Sequence, residues 1–472
     1  MSLPDTAAII YLALPVALFF LSWFKLGYGI PLALAAIAGL PLLRGVKRGQ
    51  LSRFALIFAL LLALAWASLS GASHFFYAGQ ALNWPIRDAM MRDLVLLDQP
   101  VIYGANADSA TILRAPIAYY MVPALLGRLF GMQHAFLLLY LWTALGVAIF
   151  LMQVLEGAQS VTRLLLSAAV VVLFSGMDLL APQEMIADPA GHGTWQAFFY
   201  QSTYNANLLI GFPNHGIPGW LVTALLYRCR DDRNFLGLAA WLGALTLLWA
   251  PLVSIGLLPF FAALAWRHWQ LGTIRALFSW PNLAAAPLLT IASALYLMLA
   301  AGTIVTTGTT PSPLAPDWQA FLPVYIRFIV LEFGALAAAL AIAHRGAAEP
   351  IYFTIAILLL LLLPWFHFGP NNDLVTRGSI PALTMLMLMV LDGWARPLRI
   401  GGRGIVVAVI LLVGAVFPIA RMVQVLSQPA WQPDLQHSLY EVTQGGSPNY
   451  LADVAKASLL GRLLKDVPPP VK

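Results

Sequence analysis

The chain has 472 residues, of which 60% are hydrophobic and only 10% charged, with a mean hydropathy of +0.81. A soluble domain carries about 25% charged residues, so this composition excludes an ordinary soluble globular protein and fits a chain that crosses a membrane repeatedly. The net charge of +6 does not indicate nucleic acid, because the basic residues sit in short loops between apolar runs; the single cysteine, Cys229, excludes an intrachain disulfide and any cysteine metal cluster.

In chain order, apolar runs near 8–24, 27–43, 54–73, 134–154, 161–178, 213–228, 235–251, 252–267, 282–302, 321–343, 350–367, 380–394 and 404–421 predict membrane-spanning helices. The first run lacks a basic n-region and a small-residue cleavage site, so no cleavable signal peptide is expected. The fold class expected is all-α: a polytopic transmembrane helical bundle of about 13 spans over residues 1–421, with juxtamembrane helices in the first outer loop. A polar tail, 422–472, follows on the outer side, with a helical apolar period near 450–465.

Basic loops set the orientation. Arg44, Lys47, Arg48 and Arg53 lie in one, and Arg163 marks the next. Arg228, Arg230 and Arg233 follow, then Arg267 and Arg275, Arg345, and finally Arg396, Arg399 and Arg403. They share one face, the cytoplasmic one by the positive-inside rule, on one condition. The short apolar stretch 116–130, which holds Pro123, Tyr119 and Tyr120, must rest in the interface with its tyrosines at headgroup depth rather than cross. The other side then carries segments 74–133, 178–212, 303–320 and 368–379.

Three of these outer segments hold groups capable of chemistry. Arg87, Asp88, Arg92, Asp93 and Asp98 crowd beside a span, and on a helix Asp88 and Arg92 are i, i+4 partners. A solvated amphipathic helix is the plain explanation. Against it, the chain has only 20 acidic residues, and carboxylates near a bilayer are costly. The second segment offers Asp178, Glu184, Asp188 and His192, in spacings that match no defined metal motif. A divalent cation is therefore an open possibility without a motif behind it, and a turn-rich loop explains Asp188-Pro189 and Gly191-His192-Gly193 equally. Asn205, Asn207, Asn214 and His215 interrupt the apolar run that follows. Asn214 is placed to cap a helix starting near Gly216, whose N–H groups would face outward and suit a phosphate; a satisfied helix break is the alternative. In the third segment Asp373 and Arg377 sit four apart at a membrane edge. An arginine there clamps a phosphate or simply pairs with its neighbouring acid. Arg327 and Glu332, inside an apolar span, argue for a lined cavity.

The run Asp88 to Asp93, then Tyr103-Gly104, Ala115-Pro116 with Tyr119-Tyr120, and Arg128-Leu129-Phe130-Gly131 resembles the opening of the GT-C superfamily. These are polytopic glycosyltransferases that use lipid-phosphate-linked sugars. The later stretches around Asp178, Asn214-His215 and Asp373 to Arg377 resemble a bacterial branch of such proteins. Two departures stand out: two extra spans precede the usual first one, and the acidic position is divided between Asp88 and Asp93. The resemblance implies that one of these two is catalytic and that Asp178, Glu184 or Asp188 supports it. It implies a lipid-linked sugar donor, a glycan, lipid or protein acceptor, and a site on the periplasmic side of a bacterial inner membrane.

The chemistry suits the residues independently. A sugar on a lipid phosphate already carries a good leaving group, so no strong acid is needed at the departing oxygen, unlike glycoside hydrolysis. One carboxylate takes the acceptor's proton, attack from the opposite face inverts the anomeric carbon, and cations hold the departing phosphate. Arg377 is the first choice for that task and Arg92 the second, with Arg87, His192, Asn205, Asn214, His215 and Asp373 as supporting or substrate-binding groups. A transporter or flippase is the main rival; its signs are helices broken at mid-membrane and an internal repeat.

Overall fold

The structure, a computed structural model, describes residues 1–43, 51–76, 84–105, 108–158, 160–181, 204–299, 307–309, 318–343, 349–368, 372–395, 402–430, 432–446 and 449–466. It is 75% helix and 5% strand. In order, the chain forms α1 (Leu3–Trp23), α2 (Leu26–Ile37), α3 (Arg53–Ala67), α4 (Trp84–Leu96), β1 (Ile102–Ala105), β2 (Ser109–Leu113), α5 (Ala118–Phe130), α6 (Met132–Leu155) and α7 (Val161–Leu173). Then come α8 (Asn205–Gly211), α9 (Pro213–Arg228), α10 (Arg233–Leu236), α11 (Ala239–Thr246), α12 (Pro251–Gln270), α13 (Ala286–Leu297), β3 (Thr307–Thr309), α14 (Trp318–Ile329) and α15 (Ala335–Ala343). Last are α16 (Pro350–Leu362), β4 (Phe366–Phe368), α17 (Asp373–Gly378), α18 (Ile380–Ala395), α19 (Gly402–Gly414), α20 (Val416–Ser427), α21 (Leu439–Val442), β5 (Leu451–Ala455) and α22 (Leu459–Leu463).

Among the described residues seven helical stretches are long and apolar enough to cross a membrane: Leu3–Trp23, Leu26–Leu43, Met132–Leu155, Pro251–Gln270, Phe321–Ile342, Asp373–Gly393 and Gly404–Ser427. Four shorter apolar helices, Arg53–Ala67, Val161–Leu173, Pro281–Leu297 and Pro350–Trp365, stand with them. Large apolar side chains such as Leu61, Leu258 and Leu412 are exposed on these helices. A water-facing surface rarely carries so much contiguous apolar area, whereas lipid accepts it. At the centre stands α9, every residue of which from Pro213 to Tyr227 is buried. A helix apolar on all sides belongs inside a bundle.

Contacts define two ends. At one, Arg228 pairs with Asp5 at 2.9 Å and with Glu156, while Glu349 receives Arg230 at 2.9 Å and Arg267 at 2.7 Å. This arginine end joins the start of α1, the end of α6, the end of α9 and the start of α16. Cys229 and its flanking arginines, an ordinary loop by sequence, are thus part of a charge network. At the other end β1, β2 and β5 form an antiparallel sheet in the order β1-β2-β5. There Lys25 N–H donates to Leu463 O at 3.0 Å and Lys465 N–H to Trp23 O at 3.0 Å, so the tail is strapped to the end of α1.

The chain is mostly helical, as expected, with a small sheet built by the first outer segment and the tail and a second, two-stranded one formed by β3 and β4. The structure revises three readings. The tail, expected to be partly helical near 450–465, is helical only in the short α22; from Ala452 on β5 alternates buried and exposed residues, and it pairs with β2 from Leu113↔Leu451 to Ser109↔Ala455. The tyrosines of 116–130 are not at a surface: Tyr119 and Tyr120 are 0% and 1% exposed. Tyr119 meets Thr143, midway along α6, and Ala118 N–H donates to Leu248 O at 3.1 Å. α5, a helix of 13 residues and about 20 Å, ends at the turn at Gly131 and therefore runs antiparallel to the first half of α6. Finally, Asn214 does not cap a helix at Gly216. The helix begins at Pro213, which suits a first helical position, and Phe212 precedes it without a side-chain cap.

Candidate functional site

α4 carries four of the charged candidates, and its neighbours sort them. Asp88 is 1% exposed and lies 3.1 Å from His74 Nε2, in the turn that follows α3. Arg87 is also buried, with its guanidinium over the rings of Trp84 at 5.3 Å and Phe212 at 5.0 Å. Aromatic faces hold a cation without consuming its N–H donors, and Arg87 Nη1 has no hydrogen-bond partner among the described residues. Trp84 itself is fixed by donating Nε1–H to Ile210 O at 3.0 Å, at the end of α8. The expected Asp88–Arg92 pairing does not form. Arg92 instead bonds Asp93 at 2.7 Å and donates to the carbonyls of Leu435 and Gln436 in the tail.

Asp93 is wholly buried and saturated. It accepts from Arg92, from Tyr103 O–H at 2.9 Å and from Leu439 N–H at 2.7 Å. Burial pushes its carboxyl above the ordinary range, only partly opposed by these three donors. Tyr103 is pushed well up as well, by burial and then by the charge of Asp93. This acid and its arginine fasten the tail to α4.

The break between α8 and α9 brings further groups to Asp88 and Arg87. His215 and Asn214, both buried, lie in the first turn of α9, and Asn214 Nδ2–H donates to His215 Nε2 at 3.2 Å. Asn214 Oδ1 and His215 Nδ1 have no hydrogen-bond partner among the described residues. Both Arg377 and Arg87 act electrostatically on His215, and both Arg87 and Asp88 on Tyr120. Arg377, in α17, pairs with Asp373 at 2.9 Å, and its Nε has no hydrogen-bond partner among the described residues. Side chains from α4 and α9 therefore meet at this break and place a buried carboxylate, an arginine and an imidazole beside the N-terminus of a buried helix, a setting that favours an anion next to a base.

The other candidates lie elsewhere. Asn205 ties helices together: it donates to Val171 O at 2.8 Å and accepts from Trp220 Nε1–H at 3.1 Å. Asp178 is buried in the turn Asp178–Leu180, whose preceding residue Met177 donates to Leu331 O. Two residues before it, Gly176 lines a mostly apolar pocket with Phe174, Ser175, Asn205, Leu208 and Glu332 that has room for about one water. Glu332 reaches that pocket from a one-turn π widening, Val330–Gly334, in its helix. Glu184, Asp188 and His192 lie outside the described residues. Among the described residues no three His, Cys, Asp or Glu are placed to hold a metal. Sequence reasoning missed His74 and Phe212, and took Tyr103 and Tyr120 only as parts of a motif, not as partners of the acids. The run Ser68, Ser70, Ser73 marked a tight turn before His74, but nothing local tied that turn to Asp88.

No family model, curated protein or solved structure matches this chain.

Proposed function

We propose that the chain is a GT-C-type membrane glycosyltransferase. It moves a sugar from a polyprenyl-phosphate-type donor to a glycan, lipid or protein acceptor, with inversion, on the periplasmic side of a bacterial inner membrane that it crosses about thirteen times. The observation that carries this reading is the approach of Arg87, with the buried Asp88 beside it on α4, to the start of α9, where its guanidinium lies 5.0 Å from the ring of Phe212 just before Asn214 and His215. Asp88 is the carboxylate on which deprotonation of the acceptor depends. Arg377 and Arg87 stabilise the departing phosphate. Arg92 takes no part, because the tail occupies its donors. Asp93 keeps the tail in place.

The test is transfer from a radiolabelled polyprenyl-phosphate hexose by the purified chain. Asp88→Asn lowers the rate by about 10²–10⁴-fold, the usual weight of a proton-transfer group, whereas Asp93→Asn, once folded, stays within about tenfold. Full activity in both variants contradicts the reading.

One observation favours a second reading. The helix interrupted at Phe212, between α8 and α9, is a device of transporters and flippases. That reading predicts movement of a lipid-linked sugar across vesicles, with no change in its covalent structure.

A further inference from the structure

The turn between α3 and α4 holds a half-buried group that the mechanism above leaves unused. His74 Nε2 lies 3.1 Å from Asp88 Oδ2. An ionised carboxylate only accepts, so the imidazole is the donor in this bond. Phe136 of α6 meets the ring edge-on, with centroids 4.5 Å apart. The backbone is the second observation: His74 has φ of 59°, in the left-handed region that residues other than glycine rarely enter. Its neighbours enforce that conformation. Ser73 Oγ–H lies within reach of Ser68 O at 2.6 Å and Ser70 O at 2.9 Å, and Ser73 Oγ accepts from Phe75 N–H at 3.1 Å. Strain held in place by surrounding bonds collects at functional sites. Glycine would adopt this backbone freely, so a histidine here costs stability that the fold alone does not require.

We infer that His74 is a positioning residue for Asp88, its Nε2–H holding the carboxylate in the orientation that receives the acceptor's proton. This rests on the transferase reading above. In the step served, the acceptor oxygen gives its proton to Asp88 while its electron pair forms the bond to the anomeric carbon. The bond from that carbon to the phosphate oxygen breaks, and the phosphate leaves with the pair. Among the described residues, Arg87 stands next to Asp88 on α4 and Tyr120 of α5 lies near it, and both stay in place in the variants tested.

The experiment uses the full chain in lipid nanodiscs, with a radiolabelled polyprenyl-phosphate hexose as donor and a membrane lipid and glycan extract as acceptor. Rates are followed over a pH series, and melting temperature is measured alongside. His74→Gly is expected to melt at or above wild type and to transfer about 100-fold more slowly, the cost of a misplaced reacting group. His74→Gln, whose amide nitrogen reaches where Nε2 stood, recovers most of the rate. Wild-type rates in His74→Gly overturn the inference, and so does a large fall in its melting temperature with no recovery in His74→Gln. Asp88→Asn separates the two levels: if it is inactive while His74→Gly is active, only this inference falls; if it is fully active, or if wild type transfers nothing, the transferase reading falls with it.

Discussion

Asp88 and Asp93 lie on one helix, both sealed from water, and what holds each of them distinguishes their work. Asp93 has three donors and a task in the fold. Asparagine there keeps one acceptor and loses the charge-assisted contacts, which costs about 1–3 kcal/mol in stability. The pH dependence has a definite sign. Burial raises the folded-state pKa of Asp93, so its protonated form is favoured by folding. That contribution is complete below the ordinary carboxylate range and is lost as pH rises through the raised value. Asp93→Asn does not titrate there. Denaturation of both proteins across the acidic range therefore shows the gap between wild type and variant widest at low pH and narrowing as pH rises. The crowding of acids on α4 was legible in the sequence. Their division of labour was not, because the contact that identifies Asp93 comes from Leu439, 346 positions away, and the one that marks Asp88 comes from a turn 14 positions upstream.

At the scale of elements, the apolar runs located most helices, since every backbone polar group in a lipid-facing segment must be satisfied within a helix. Two elements escaped. The five residues of β5 are too few to separate a strand from a helix by period alone, and their partner β2 lies far away in the chain. For 116–130 the length left both a crossing and an interfacial position open, and only the structure shows that Tyr119 and Tyr120 are buried against the rest of the chain. Helix packing also positions the candidate site. A Cβ on Gly256 of α12 would stand 2.2 Å from Gly378 O, a backbone atom next to Arg377. Gly256→Ala must push α12 and α17 apart, at a cost of about 1–3 kcal/mol. The expected result is a lower melting temperature together with weaker binding of polyprenyl phosphate. An unchanged variant means that the close approach of these two helices does not set the position of Arg377.

For the whole molecule, one arrangement supports everything proposed: the charge network of Arg228, Arg230 and Arg267 closes one end of the bundle, while the sheet, the tail and the entry of α5 occupy the other. If α5 enters and leaves on the same side, the donor, the acceptor and Asp88 share one compartment, and the basic loops face the other. Accessibility labelling tests this most directly. In a Cys229→Ser background, single cysteines replace Ala457, exposed just after β5, and Arg275, exposed at the arginine end. A membrane-impermeant maleimide applied to intact cells is expected to label position 457, and to label position 275 only after lysis. Labelling of both positions from the same side, or the reverse pattern, contradicts the account.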